Sequence, residues 1–343
     1  MTWHMPSETS EHERIWMAFP VAGYTLGDDA TSADEARSTW AAVAHAVAEF
    51  EPVTMVVDPN ERDIAARYLS SSIEVVDAPL DDSWMRDMGP TYVYGSDGGL
   101  AAVDWTFNAW GAPEWAVWEK DREIAKFVAG LTDTPRILST LVNEGGGIHV
   151  DGEGTVIITE TVQLDPGRNP YTDKERVEAE LERTIGASNV IWLPRGLTRD
   201  YEIKGTRGHV DMIACIPSPG TILLHAQNDQ SHPDYDVSRQ LKTFIEGTRD
   251  ASGREWNIID LPAPDTLKDD EGFVDYNYVN HLVVNGGIIA CGFGEAEADA
   301  RARSILADAY PGRRVVTVDA RPLFVRGGGV HCITQQQPVA AKP

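Results

Sequence analysis

The sequence predicts an α/β fold built as a closed ring of five similar units, on three observations. Four internal segments repeat one order of parts, they recur at roughly 50 to 70 residues, and the two chain ends each hold half of a fifth copy. Each complete unit reads as a polar or glycine-rich lead-in, an apolar strand, a tight turn, a second apolar strand, a helix and a short buried strand. The hairpins fall at 86–105, 144–160, 208–225 and 276–293. Their turns are Ser96-Asp97-Gly98-Gly99, Asp151-Gly152-Glu153-Gly154, Pro217-Ser218-Pro219-Gly220 and Asn285-Gly286-Gly287, which carry the Gly, Asn, Asp and Pro chemistry that hairpins demand. Helical periodicity follows at 113–131, 172–185, 234–247 and 295–310. Short apolar strands close the units at 136–138, 190–193, 257–261 and 314–318.

The fifth unit is split by the termini. The segment around Cys332 has no downstream partner, and Arg14-Ile15-Trp16-Met17-Ala18-Phe19-Pro20 can supply one, followed by a helix at 30–50 and a strand at 53–57. This arrangement makes one domain over 1–343 with no linker, leaving the first dozen residues and the tail 340–343 as loose ends.

The 343 residues carry 29 basic and 54 acidic side chains, a net charge of −25. Nucleic acid and anionic membrane surfaces need basic patches, so both are poor partners. The acidity suits solubility and permits a cationic small molecule focused into an acidic cleft. No uninterrupted apolar stretch approaches a membrane span, and the N-terminus lacks the basic and apolar regions of a signal peptide. Three widely spaced cysteines resemble no disulfide framework, so the expected location is the cytoplasm. The oligomeric state is open, with room for a homo-oligomer.

The distinctive polar residues gather where the units begin. Unit one opens Trp84-Met85-Arg86-Asp87-Met88-Gly89, unit two Glu144-Gly145-Gly146-Gly147, unit three Gly208-His209-Val210-Asp211, and unit five carries Gly327-Gly328-Gly329-Val330-His331-Cys332. If five units close around an axis, equivalent lead-ins converge at one end, bringing Asp87, Glu144, His209, Asp211 and Cys332 into one cavity. His209 and Asp211, two apart on an expected strand, would share a face. Plainer readings stand beside these. Glu144 could simply precede a tight turn, Asp87 could pair with Arg86 at the surface, and His149 and Asp151 read as local hydrogen-bonding residues. Cys215 and Cys291, among aliphatics, read as core. Cys332 differs because it follows backbone without side chains, where another molecule can approach closely.

A thiol, a histidine and three carboxylates make an anionic pocket. It matches a planar cation with several N–H donors, a guanidinium, which carboxylates grip fork to fork. Such a cation would also favour the thiolate. Paired metal-ligand spacing such as Cys-x-x-Cys is missing, and no metal is expected.

The motifs 84–90, 144–155, 208–211 and His331-Cys332-Ile333-Thr334-Gln335-Gln336-Gln337-Pro338 resemble the agmatine deiminases of the guanidine-modifying superfamily, and the likeness runs from Met5-Pro6-Ser7-Glu8 to Pro338. The resemblance implies the pentein fold, a five-bladed ββαβ α/β-propeller with pseudo-five-fold symmetry. It implies Cys332 as nucleophile, His209 as proton shuttle, Glu144 as its acid–base partner, Asp87 and Asp211 as guanidinium clamps, and no metal or organic cofactor. Trp84 and the segment Asn108-Ala109-Trp110-Gly111 match motifs near the family's pocket, and Trp84 is taken as a substrate-binding residue. The chain departs from the family at Gly329, where Asn is common, Ala109, where Gly is usual, Gly147, where Ser is common, and His281, where an aromatic is frequent. The expected substrate is a cationic guanidino small molecule, with agmatine favoured. Another guanidino compound (an alkylguanidine, peptidyl-arginine or a specialised metabolite), amidino transfer through the same covalent intermediate, and a non-catalytic pentein that binds ligands or partners are the alternatives.

Overall fold

The computed structural model describes residues 2–21, 23–202 and 204–340. It contains five sheets, and each has the same internal grammar. An antiparallel hairpin is followed by a helix that returns the chain to a third strand, which pairs in parallel with the second strand of the hairpin. In unit one Thr91–Gly95 pairs antiparallel with Leu100–Thr106, which pairs in parallel with Arg136–Val142. Unit two sets His149–Val150 against Thr155–Thr159 and Asn189–Leu193. Unit three joins Ala214–Ser218, Thr221–Ala226 and Asn257–Pro262, and unit four joins Leu282–Val284, Gly287–Gly292 and Arg314–Asp319.

Each of these four hairpin turns holds a glycine at positive φ: Gly98 at 80°, Gly152 at 78°, Gly220 at 76° and Gly286 at 74°. A β-carbon strains that conformation, which is why the turn chemistry was legible.

The split unit closes as expected. Thr334–Pro338 pairs antiparallel with His12–Ala18, with Thr334 opposite Met17 and Pro338 opposite His12. Val53–Val57 then pairs in parallel with His12–Ala18. The Trp16 indole N–H donates to Gln337 Oε1 at 2.9 Å, pinning the register from inside the core. Buried parallel strands read as continuous apolar runs, and every residue of Val53–Val57 is buried. The helix of this unit, Ala30–Ala48, is capped by Asp29, whose carboxylate accepts from Ser32 N, and it buries Trp40, Val43 and Val47 against the sheet.

Three expectations need correction, and one strand goes beyond them. The N-terminus is no loose end: Trp3–His4 is an edge strand paired with Tyr94 and Gly95, and Met5 N donates to Ile185 O at 2.9 Å. Of the tail 340–343, residues 341–343 lie outside the described residues. The helix expected at 113–131 is confined to a 3-10 turn, Asp121–Glu123, and the α-helix Ile124–Leu131. The stretch before it is irregular because its aromatics line cavities instead of one helix face. A further strand, Glu74–Asp77, extends the fifth sheet beyond Val53–Val57. Finally, His209 and Asp211 do not lie on a strand. The backbone forms a 3-10 turn at Val210–Met212, and Ala214–Ser218 begins after it.

Candidate active site

The lead-in segments of all five units meet at one place. Gly146 marks its centre. A β-carbon built there would lie 2.5 Å from His209 Nδ1, 2.9 Å from Asp211 Oδ2 and 3.0 Å from Asp87 Oδ1. Three side chains from units one and three therefore converge on a single glycine of unit two, and only a residue without a side chain fits between them.

Asp87 sits in a one-turn helix, Met85–Met88, at the mouth of unit one. It is buried, so the reading of an Arg86–Asp87 surface pair is wrong. Its Oδ2 accepts from the Trp110 indole N–H at 2.8 Å and its Oδ1 from Gly146 N at 3.0 Å. Burial raises its pKa, and Asp211 and Glu144 add to the rise while His209 opposes it. A cation placed beside it would oppose that rise.

Glu144 is completely buried between two positive groups. Arg168 Nε donates to both its oxygens, at 3.0 and 3.1 Å, and His209 Nε2 lies 3.2 Å from Oε2. Burial would raise its pKa, but the Arg168 guanidinium and His209 outweigh burial and hold it at about 2. Arg168 is itself secured by Asp165 at 3.0 Å and by Thr206 O at 2.8 Å.

His209 bridges carboxylates, with Glu144 on Nε2 and Asp87 Oδ2 3.8 Å from Nδ1. Burial works against its charge, but Asp87 and Glu144, with Asp211, override it and raise the pKa to about 9. Its backbone is set by Asp200, whose Oδ2 accepts from Gly208 N and His209 N. The ring is thus an imidazolium near neutral pH, buried among anions.

Cys332 lies behind this group. Its Sγ is 3.4 Å from Asp211 Oδ2, and Asn280 Nδ2 donates to it at 3.1 Å. Burial, then Asp211 and Asp87, push the thiol pKa well above its ordinary value. Trp84 forms a wall: a β-carbon on Gly328 would lie 2.6 Å from its Cζ3 and 3.0 Å from Cys332 Sγ. The glycine run before the cysteine is therefore needed for the close approach.

Asp211 Oδ2 accepts from His331 Nδ1 at 2.8 Å, while its Oδ1 is buried without a hydrogen bond inside the protein. His209 Nδ1 is buried and unbonded in the same way. A cavity of about 780 Å³ opens outside, lined by Trp110, Trp115, Asp200, Tyr201, Phe324 and Gly327 among others. Two of these residues bond directly to the group: Trp110 to Asp87, and Asp200 to the His209 backbone.

All six residues singled out in the sequence, Trp84, Asp87, Glu144, His209, Asp211 and Cys332, lie in this neighbourhood. His149 is not local in its bonding: its Nε2 accepts from Ile216 N, 67 residues away, at 2.8 Å. Asp151 does cap its own turn, accepting from Glu153 N and Thr155 N. Cys215 and Cys291 are buried, and burial pushes both thiols up to about 12, as core cysteines require. Sequence reasoning missed Glu8, Arg86, Arg168 and Asn280. Asn280 occupies the lead-in of unit four, so the repeat itself pointed to it.

Comparison with known proteins agrees in extent as well as in kind. The family model for Porphyromonas-type peptidyl-arginine deiminase matches residues 4–338. A Streptomyces coelicolor protein, provisionally named as an agmatine deiminase, is 51% identical over 98% of this chain and 99% of its own. The agmatine deiminase of Ectopseudomonas mendocina is 38% identical over 98% and 95%. The solved structure of the agmatine deiminase of Enterococcus faecalis superposes with a TM-score of 0.92 at 30% identity, covering 99% of this chain and 97% of that one. Five ββαβ units, converging lead-ins and a match along almost its whole length place the chain in the Porphyromonas-type peptidyl-arginine deiminase family, with the pentein fold.

Proposed function

We propose that the protein is an agmatine deiminase, hydrolysing agmatine to N-carbamoylputrescine and ammonia. The observation that carries the reading is the pairing of a buried thiol, Cys332, with two carboxylates, Asp87 and Asp211, and an imidazolium, His209, around one point. The names of the relatives support the choice of agmatine.

In this reading the guanidinium docks between Asp87 and Asp211, which take its N–H groups. Its positive charge offsets the carboxylates that otherwise disfavour the Cys332 thiolate. The thiolate attacks the guanidinium carbon, and the C–N bond to one terminal nitrogen breaks as His209 donates a proton, so ammonia departs. A water then loses a proton to the now neutral His209, held by Glu144, and adds to the amidino carbon. The C–S bond breaks with its electron pair returning to sulfur, the hydroxyl proton of the adduct passes to the departing sulfur to restore the Cys332 thiol, and the neutral ureido product leaves. Trp84 walls the nucleophile and excludes water from its back.

We read the five units as one domain over 1–343, supported by the pairing of the last strand with the N-terminal one. No helix among the described residues is long and apolar enough to cross a membrane. Three free thiols suit the reducing cytoplasm.

The test is incubation with agmatine, arginine and a panel of alkylguanidines, with ammonia and ureido product measured. Stoichiometric ammonia and N-carbamoylputrescine from agmatine are expected. Absence of ammonia from every guanidine, with an amidine forming on an added amine, would sink the hydrolase reading.

A further inference from the structure

The N-terminal segment carries a carboxylate to the back of the site. The edge strand Trp3–His4 and the Met5–Ile185 bond fix the backbone, and the Glu8 side chain beyond them is buried. Its Oε1 lies 2.8 Å from His331 Nε2, while the opposite ring nitrogen, Nδ1, lies 2.8 Å from Asp211 Oδ2. A ring with a carboxylate on each nitrogen donates to both only as an imidazolium. The His331 backbone is held as well: its N–H donates to Asn280 Oδ1 at 2.9 Å and its carbonyl accepts from Arg86 Nε at 3.3 Å.

Asp211 is the carboxylate beside the nucleophile, 3.4 Å from Cys332 Sγ, and it shares the site with Asp87. Two carboxylates that close compete for one proton unless a fixed cation compensates. His331 is that cation for Asp211, and the guanidinium of Arg86 beside it opposes its charge. Glu8 lies 3.6 Å from Arg86 Nη1, whose charge it balances, and 3.8 Å from His149 Nδ1. The titratable groups packed around His331 are Glu8, Asp211, Arg86, His149, His281 and the neighbouring Cys332.

We propose that Glu8 is a positioning residue for the reaction: through His331 it keeps the Asp211 carboxylate ionised and oriented toward the guanidinium. This rests on the deiminase reading, and it assigns a functional role to the N-terminal segment, which contributes no group to the reacting atoms. The burial-opposed but raised pKa of His331 and the strongly lowered pKa of Glu8 agree with it.

The test uses the full-length protein and Glu8→Gln, which is nearly isosteric. In ¹⁵N-histidine NMR of substrate-free protein, the His331 midpoint should lie above the ordinary value in the parent and fall by about one pH unit in the variant. With agmatine, KM should rise about tenfold or more, with kcat changed less. The alkaline fall of kcat/KM should begin at lower pH. If Glu8→Gln does not fold, Glu8→Asp is measured instead, with the same directions expected. An unchanged His331 midpoint, or an unchanged KM and pH profile alongside a lowered melting temperature, would overturn the proposal and leave Glu8 a structural residue. The titration needs no substrate, so it stands or falls apart from the substrate assignment.

Discussion

The Nε2 of His209 lies 3.2 Å from Oε2 of Glu144, with both side chains buried. This contact ties the imidazole, the proposed proton shuttle, to a carboxylate that is itself held ionised by Arg168. Together with Asp87 and Asp211 it sets the protonation state of His209. Because its folded pKa is raised to about 9 from an ordinary 6.5, the stability its charge contributes is complete below pH 6.5 and is lost as pH rises through about 9.

Replacing Glu144 with Gln removes that anchor. The alkaline limb of kcat should move to lower pH, and kcat should fall by roughly 10²- to 10⁴-fold, the range associated with general acid–base groups. A pH–rate profile decides it: a variant that keeps the parent alkaline limb would remove His209 from the role of acid.

Arg168 acts on the same pair from the other side. Glu144, with its pKa depressed to about 2, contributes stability above its ordinary 4.5 that disappears as pH falls through about 2. Arg168→Met leaves Glu144 and Asp165 buried without their guanidinium, at a cost of about 3–5 kcal/mol. Urea unfolding at pH 7 measures that loss, and the acid limb of activity should shift upward. A variant as stable as the parent would mean that water reaches the pair.

The Cys332 thiol should be unreactive until a cation arrives. Burial and the carboxylates of Asp211 and Asp87 hold its pKa well above 9 in the free protein. Iodoacetamide inactivation of substrate-free enzyme should therefore accelerate with a midpoint on the alkaline side of 9. A midpoint near the ordinary 8.5 of a free cysteine would show that no such penalty exists. Cys332→Ser should abolish turnover, and an amidine-sized mass gain on Cys332 during turnover would mark the intermediate.

Much of the ring was legible because each hairpin turn requires a left-handed residue, and those residues announce themselves as glycines. The split fifth unit was legible for a topological reason: a strand ending at Pro338 needs a partner, and His12–Ala18 was unpaired in the sequence pattern. The helix expected across 113–131 begins only at residue 121 because Trp115, within that span, stacks on Trp110 at 6.3 Å as a cavity wall, a use of an aromatic that mimics a buried helix face. Glu74–Asp77 is too short to show a period. Within the site, the residues that lead a unit could be found from the repeat, while Arg168 and Glu8 could not. Arg168 lies in a loop after Glu160–Gln163, and Glu8 arrives by way of an edge strand.

The glycines supply the sharpest contrast. Gly146 sits where a β-carbon would meet His209 Nδ1 at 2.5 Å and two carboxylates within 3.0 Å. Such separations lie well inside van der Waals contact, and none of these groups can retreat. His209 is braced by Glu144 and Asp200, Asp87 by Trp110, and Asp211 by His331. Gly146→Ala should therefore displace the site itself. A loss of about 10²-fold in kcat/KM is expected, the penalty of roughly 1 Å of misplacement. A β-carbon on Gly130, inside the helix Ile124–Leu131, would meet nothing within 4 Å. Gly130→Ala should leave kinetics untouched and stabilise the fold by about 0.5–1 kcal/mol, because alanine loses less backbone entropy in a helix. Steady-state kinetics and thermal unfolding of the two variants check both halves. If Gly146→Ala retained full activity, the convergence of His209, Asp87 and Asp211 on that glycine would not be the arrangement in which the enzyme works.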